Sequence, residues 1–204
     1  MCRFLLVKSD QPIKHTALLK KFAEMAHTSK APDGDRQGDG WGVAWLNEEN
    51  QWQVKKSLSP VWQETEIFET FPQTSLLVAH ARSASFSHHK GVIEFNQPYI
   101  SENYAFVFNG MLRGVTLSNF PGKIGAEKIW YLLQRKLAQN DPPAALEKVK
   151  QILMHHSREI VALNIGLATT GNMYALNYFT RNPEYYILHR WKTEHVEIIC
   201  SEKL

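Results

Sequence analysis

Apolar residues along this chain change their rhythm several times, and each change marks an element. Phe4, Leu5, Leu6 and Val7 follow Cys2 without a polar break, which predicts a short buried strand over 2–7. Over 13–25 the apolar positions Ile13, Ala17, Leu18, Phe22 and Met25 recur at three- and four-residue intervals, the rhythm of one helical face. Residues 29–40 are polar and rich in Asp and Gly, so they read as a loop. A strand over 41–46, a turn at Glu48-Glu49-Asn50 and a returning strand over 52–56 form a hairpin. Ser59-Pro60 opens a short helix that runs to Thr70. The unbroken apolar run over 76–79 is that of a strand buried on both faces, and 104–108 is a second such strand. Helical spacing returns over 125–136 and 144–156, with Pro142-Pro143 between them, and strands follow over 160–168, 173–178, 185–191 and 195–200. Strands, then two helices, then strands again predict an α+β protein with packed sheets and helices outside.

Composition narrows the class. With 204 residues, 44% of them hydrophobic and 21% charged, the chain can bury a substantial core, and a disordered chain is excluded. No repeat or linker interrupts it, so a single domain over 1–204 is expected. The net charge of +3 comes from scattered residues, with Lys20-Lys21 and Lys55-Lys56 as short pairs, and this argues against a nucleic-acid partner. No apolar stretch reaches the ~20 residues a membrane helix needs, and no secretory leader is visible, so a cytoplasmic protein with reduced thiols is expected. Two cysteines, Cys2 and Cys200, make no disulfide framework, and they lack the spacing of a redox pair. The adjacent pairs His88-His89 and His155-His156 diverge on any regular element, so no metal site is expected.

Three places carry candidate chemistry. Removal of Met1 would leave Cys2 with a thiol and an α-amine on one carbon, the amine having a reference pKa of about 7.7–8.0, so nucleophile and base would share one residue. Cys2 is equally readable as a small buried hydrophobe at the start of a strand. Arg82 emerges from the doubly buried strand and must find a counter-charge, either a structural salt bridge or a substrate carboxylate. Asn109-Gly110 ends an apolar strand, as a two-residue hairpin turn or as a pair of neutral donors for an oxyanion.

In order along the chain, Met1-Cys2 with its strand, Asp39-Gly40-Trp41-Gly42, Ala79-His80-Ala81-Arg82-Ser83-Ala84, Asn96-Gln97-Pro98-Tyr99 and Asn109-Gly110 resemble the class II glutamine amidotransferases, which are N-terminal nucleophile hydrolases. The likeness continues through 163–178 and Ser201-Glu202. It implies a four-layer αββα sandwich and a cysteine-nucleophile amidohydrolase acting on glutamine or a related small-molecule γ-glutamyl compound. Cys2 is then the nucleophile, Asn109 and Gly110 form the oxyanion hole, and Arg82 holds the α-carboxylate with Ser83 beside it. A thioester forms and water releases glutamate, with no metal or organic cofactor.

The chain departs from the family pattern at the amine pocket. Gly125 stands where relatives carry the Asp that pairs with the substrate ammonium, which leaves Glu127, Glu94 or a carbonyl as substitutes. Phe108 and Gln97 stand where many relatives have His. The resemblance therefore points to a γ-glutamyl substrate with an altered amine. The expected length leaves no synthase domain, so the ammonia goes to a separate synthase subunit or the protein is a stand-alone amidohydrolase, the preferred reading. A homo-oligomer stays open, as does a catalytically silent member that binds a ligand or serves as a regulatory partner subunit.

Overall fold

The computed structural model describes residues 1–29, 31, 32, 34–117 and 120–204. Its first sheet is organised on β1 (Arg3–Ile13), which pairs antiparallel with β4 (Thr74–Ala81) on one side and β10 (Val196–Cys200) on the other. β2 (Trp41–Leu46), β3 (Trp52–Ser57) and β9 (His189–Lys192) complete the order β3-β2-β4-β1-β10-β9. The second sheet has the order β5-β6-β7-β8, built from β5 (Tyr99–Ile100), β6 (Tyr104–Val115), β7 (Ser157–Thr169) and β8 (Met173–Phe179).

Side-chain alternation assigns each strand face to a layer. Leu5 and Val7 pack outward with Leu19, Phe22 and Ala26 of α1 (Thr16–Thr28), while Phe4 and Leu6 pack inward against Ala105 and Val107 of the other sheet. Phe106 and Phe108 point the other way, onto α2 (Gly125–Leu137) and α3 (Pro142–His156), where Ile129, Leu133, Leu146 and Val149 meet them. The result is a layered helix–sheet–sheet–helix sandwich, as the resemblance implies. α3 starts where Asp141 accepts from the Ala144 N–H at 2.9 Å and Pro142 needs no donor of its own.

Several boundaries differ from the sequence expectation. β1 does not stop at residue 7 but runs to Ile13, which pairs with Thr74 after a register shift, so α1 begins at Thr16. The helix expected over 59–70 is two 3₁₀ segments, Val61–Gln63 and Thr65–Thr70. The strand expected over 185–191 is divided: Asn182 in the left-handed region, followed by Pro183, turns the chain into the short α4 (Pro183–Tyr186), and β9 starts at His189. The hairpin reading of Asn109-Gly110 is overturned. β6 runs straight through the pair, with Asn109 opposite Asn164 and Gly110 opposite Leu163.

Candidate active site

The register of the first sheet sets Arg3 beside Ala81, so the start of the chain and the end of β4 meet at one edge of the layer between the sheets. A cavity of about 550 Å³ opens there, lined by Met1, Cys2, Arg82, Ser83 and Gly110 among others. It lies within the ~300–1,000 Å³ typical of small-molecule sites.

Cys2 is half-buried, and its Sγ donates to the Ser83 carbonyl at 3.6 Å. Burial pushes the thiol up from its ordinary value, against the smaller opposing pull of the terminal ammonium, the Ser83 backbone and Arg82. Met1 is held tightly. Its ammonium donates to Ser83 Oγ at 2.6 Å, and its carbonyl accepts from Gln37 Nε2 and the Tyr185 hydroxyl, both at 2.9 Å. Its side chain packs with Ala162, Tyr185 and Tyr186, with Met111 against the same cluster. Ser83 Oγ in turn donates to Asp35, whose carboxyl is held below its usual range by that bond and by the terminal ammonium, despite partial burial.

Arg82 is 4% exposed, yet no carboxylate lies within ion-pair distance of it among the described residues. The salt bridge considered from sequence is absent there. Its guanidinium donates instead to Asn96 Oδ1 at 3.3 Å and to the His89 carbonyl at 2.8 Å, with the Phe95 ring 5.7 Å away. The glycines of the Asp39-Gly40-Trp41-Gly42 segment explain this brace. A Cβ on Gly40, whose φ is +115°, would overlap the Asn96 amide, and one on Gly42 would overlap the Gln97 carbonyl. The Arg82 N–H donates to the Gly40 carbonyl at 2.8 Å, and the Asp39 N–H to the Arg82 carbonyl at 3.0 Å. Asp39 itself is committed to the Ala84 N–H at 2.8 Å and to Lys90 at 3.0 Å.

Asn109 and Gly110 occupy opposite faces of β6. Gly110 lines the cavity, and a Cβ there would overlap the Ala162 carbonyl and the Phe108 ring. The Asn109 side chain faces the inter-sheet layer behind it, 1% exposed, and neither amide atom is hydrogen-bonded among the described residues. Just before them Gln97 clamps the backbone of Phe108, accepting from its N–H at 2.5 Å and donating to its carbonyl at 3.5 Å. Sequence reasoning noted Gln97 only as a departure; its grip on the strand that carries Asn109 needs the fold to be seen. His80, on the facing sheet, is fully buried with neither ring nitrogen hydrogen-bonded by ordinary geometry. Burial, and then Arg82, lower its pKa to about 3, so it is neutral at physiological pH.

Glu127 does not join the group. Its carboxylate reaches back to the Lys123 and Ile124 N–H groups at 2.6 and 3.3 Å and closes the start of α2, a reciprocal bond being impossible for the apolar Ile124. With Glu94 it borders a separate cleft beside Lys56 and Tyr99, whereas Gly125 lines the main cavity with open space beside it. Cys200 faces the α1 core opposite Leu5 and is a free thiol, as is Cys2. Among the described residues no three His, Cys, Asp or Glu side chains converge as metal ligands, and no helix is long and apolar enough to cross a membrane.

Comparison with curated proteins returned no match. Comparison with solved structures gave 26 matching chains, and three of them serve as examples of similar fold. A glutamine aminotransferase class-II domain protein from Silicibacter pomeroyi is 16% identical, with a TM-score of 0.63 over 98% of this chain and 88% of its own. The glutamine phosphoribosylpyrophosphate amidotransferase of B. subtilis is 15% identical, with a TM-score of 0.64 over 98% of this chain, which spans 42% of that enzyme. A structure described as the allosteric regulatory enzyme of purine biosynthesis aligns at 0.64 and 16% identity, and this chain again spans 42% of it. These likenesses carry the fold, that of the N-terminal nucleophile hydrolases. The family model for glutamine amidotransferases class-II matches residues 1–188, and the chain belongs to that family.

Proposed function

We propose that this protein is an amide hydrolase with Cys2 as nucleophile, acting on the side-chain amide of a γ-glutamyl-type compound. The observation that carries the reading is one cavity onto which the Cys2 thiol, an ion-pair-free buried Arg82 and Gly110 all open. A buried guanidinium without a carboxylate is a standing site for one, and Arg82 is pre-oriented by Asn96 and His89.

The mechanism requires Met1 to be removed. The freed α-amine of Cys2, neutral, takes the thiol proton, and Sγ bonds to the amide carbon. The carbonyl oxygen gains the charge and is met by Gly110 N–H and the unbonded amide of Asn109. Met1 belongs to the cluster against which Met111 packs, and Met111 is the next side chain on Asn109's face of β6, so in this reading removal of Met1 opens that approach. The amine returns its proton to the leaving nitrogen as the C–N bond breaks, giving a thioester and ammonia or an amine. Water, deprotonated by the same amine, then cleaves the thioester to the carboxylic acid and restores the thiol.

In the structure Ser83 and Asp35 hold the Met1 ammonium, and in this reading the freed Cys2 amine takes over that relay. Stand-alone hydrolysis is the preferred form of the reading, with transfer of ammonia to a synthase subunit as the variant of it. The test is Cys2→Ala in the Met1-free protein. Hydrolysis of every γ-glutamyl amide tried should fall by at least about 10³-fold, as expected for a lost nucleophile. A glutamine-analogue electrophile should add its mass to Cys2 of the wild type. Retained activity in Cys2→Ala would end the reading. Ligand binding with neither adduct nor turnover would mark a silent binding protein.

A further inference from the structure

Beyond the thiol, the cavity has an uneven character. On one side stand Cys2, Arg82 and Gly110; on the other it runs along β6 and α2 and ends against Leu153 of α3. That far wall is apolar, formed by side chains such as Phe108, Leu112, Ile124 and Ile129. At the mouth, Phe86 is 60% and Val115 43% exposed, so the apolar track continues to the surface. No lining residue among those described is acidic, whereas Arg82, Arg113 and Lys128 all border the cavity. Asp35 is bonded by Ser83, Asp39 by Ala84 and Lys90, Glu127 by the Lys123 and Ile124 N–H groups, and Glu159 by Arg113 and Arg181, while Glu94 borders the separate cleft. A free amino acid entering here would set its ammonium in a cavity lined by cations, hydrocarbon and a few neutral polar groups, with no carboxylate among the described lining residues to offset its desolvation.

We infer that the substrate is an anionic amide whose α-nitrogen is capped by an apolar acyl or arylacyl group, with its carboxylate on Arg82 and the cap along the β6–α2 wall. The inference rests on the hydrolase reading above and names the substrate class of that site. An amide cap removes the positive charge and supplies hydrocarbon that the far wall can cover. Each methylene taken out of water should raise kcat/KM about fourfold until the wall is full.

The test uses the Met1-free protein and the N-acetyl, N-butanoyl, N-hexanoyl and N-phenylacetyl derivatives of glutamine beside glutamine itself, with release of ammonia as the readout. The expected result is a rise of at least tenfold in kcat/KM from glutamine to the N-hexanoyl compound, carried mainly by KM. Gly125→Asp supplies the missing acid at a position where an added Cβ meets nothing within 4 Å, at the first residue of a helix that tolerates acids. It should raise kcat/KM for glutamine and lower it for capped compounds. Glutamine turned over as well as or better than every capped compound would overturn the inference and leave the hydrolase reading standing. No turnover of any of them, with no adduct on Cys2 from the electrophile, would remove the hydrolase reading itself. Calorimetry with Cys2→Ala and N-hexanoylglutamate gives an independent readout: binding no tighter than that of glutamate would also overturn the inference.

Discussion

The layer between the two sheets has two ends built on opposite terms. At the far end Leu6, Leu46, Leu76 and Val78 meet Val107 and Ala168, all buried and all apolar. A few residues along the same strands, Cys2, His80 and Asn109 follow those hydrophobes on the inward face. There, among the described residues, the ring of His80 and the amide of Asn109 are buried without hydrogen bonds of ordinary geometry, and Arg82 is buried with no carboxylate within ion-pair distance. Buried polar groups are ordinarily satisfied, and the packed end has one such exception among the described residues, the Trp52 Nε1, whereas His80 and Asn109 bring four unbonded atoms to the other, where the proposed chemistry lies. The packed end holds the sheets together, and the other end is where the proposed substrate would bind.

Substitutions can separate the two ends. Leu6→Ala removes a fully buried side chain at the packed end and should lower unfolding free energy by ~2–5 kcal/mol, with activity per folded molecule unchanged. Urea midpoints together with active-site titration check both halves; a large fall in activity with intact stability would erase the distinction. Asn109→Ala should do the reverse. It should cut kcat by ~10²–10³-fold, as for a lost oxyanion donor, while stability holds or rises, because no hydrogen bond is lost. A destabilisation like that of Leu6→Ala would mean the amide is structural.

Gln97→Leu is intermediate. It strips the clamp from the Phe108 backbone and leaves a buried N–H unpaired, so both stability (~1–3 kcal/mol) and kcat should fall. Unchanged kcat in that variant would detach Gln97 from positioning the oxyanion strand. The smallest effect concerns His80. Its folded-state pKa of about 3 lies below the unfolded value of about 6.5, so the unfolded chain binds a proton that the native protein refuses. The neutral-state stability is complete above pH ~6.5 and is lost as pH falls, by ~1 kcal/mol between pH 6.5 and 5.5. His80→Leu should remove that share of the slope, and equal slopes in the two proteins would show that His80 does not set it.

The sequence made the outline of this molecule readable because its strongest signals are local. The unbroken run of β4 and the spacing in α1 and α3 depend on neighbouring residues alone. The ends of β1 and the division of 185–191 do not: Ile13 is extended because Thr74 stands opposite it, and α4 exists because Asn182 takes a left-handed turn. The site divides similarly. Cys2, Arg82, Ser83 and Gly110 were singled out by residue chemistry and motif order, and they border one cavity. Glu127 was placed by proximity to Gly125 in sequence, but a capping geometry turns its carboxylate back onto the helix start. Asp35 and Gln97 gave no local signal, since their partners lie 48 and 11 residues away.

Met1 is 9% exposed, with its amine, carbonyl and sulfur each engaged by a side chain from a distant part of the chain. An aminopeptidase must draw a terminal residue into its own cleft, and the folded protein presents nothing to grip. If Met1 is removed as the proposed mechanism requires, its burial means that trimming has to precede closure of the sandwich. On that mechanism a molecule that folds first keeps the Cys2 nitrogen locked in a peptide bond and stays silent.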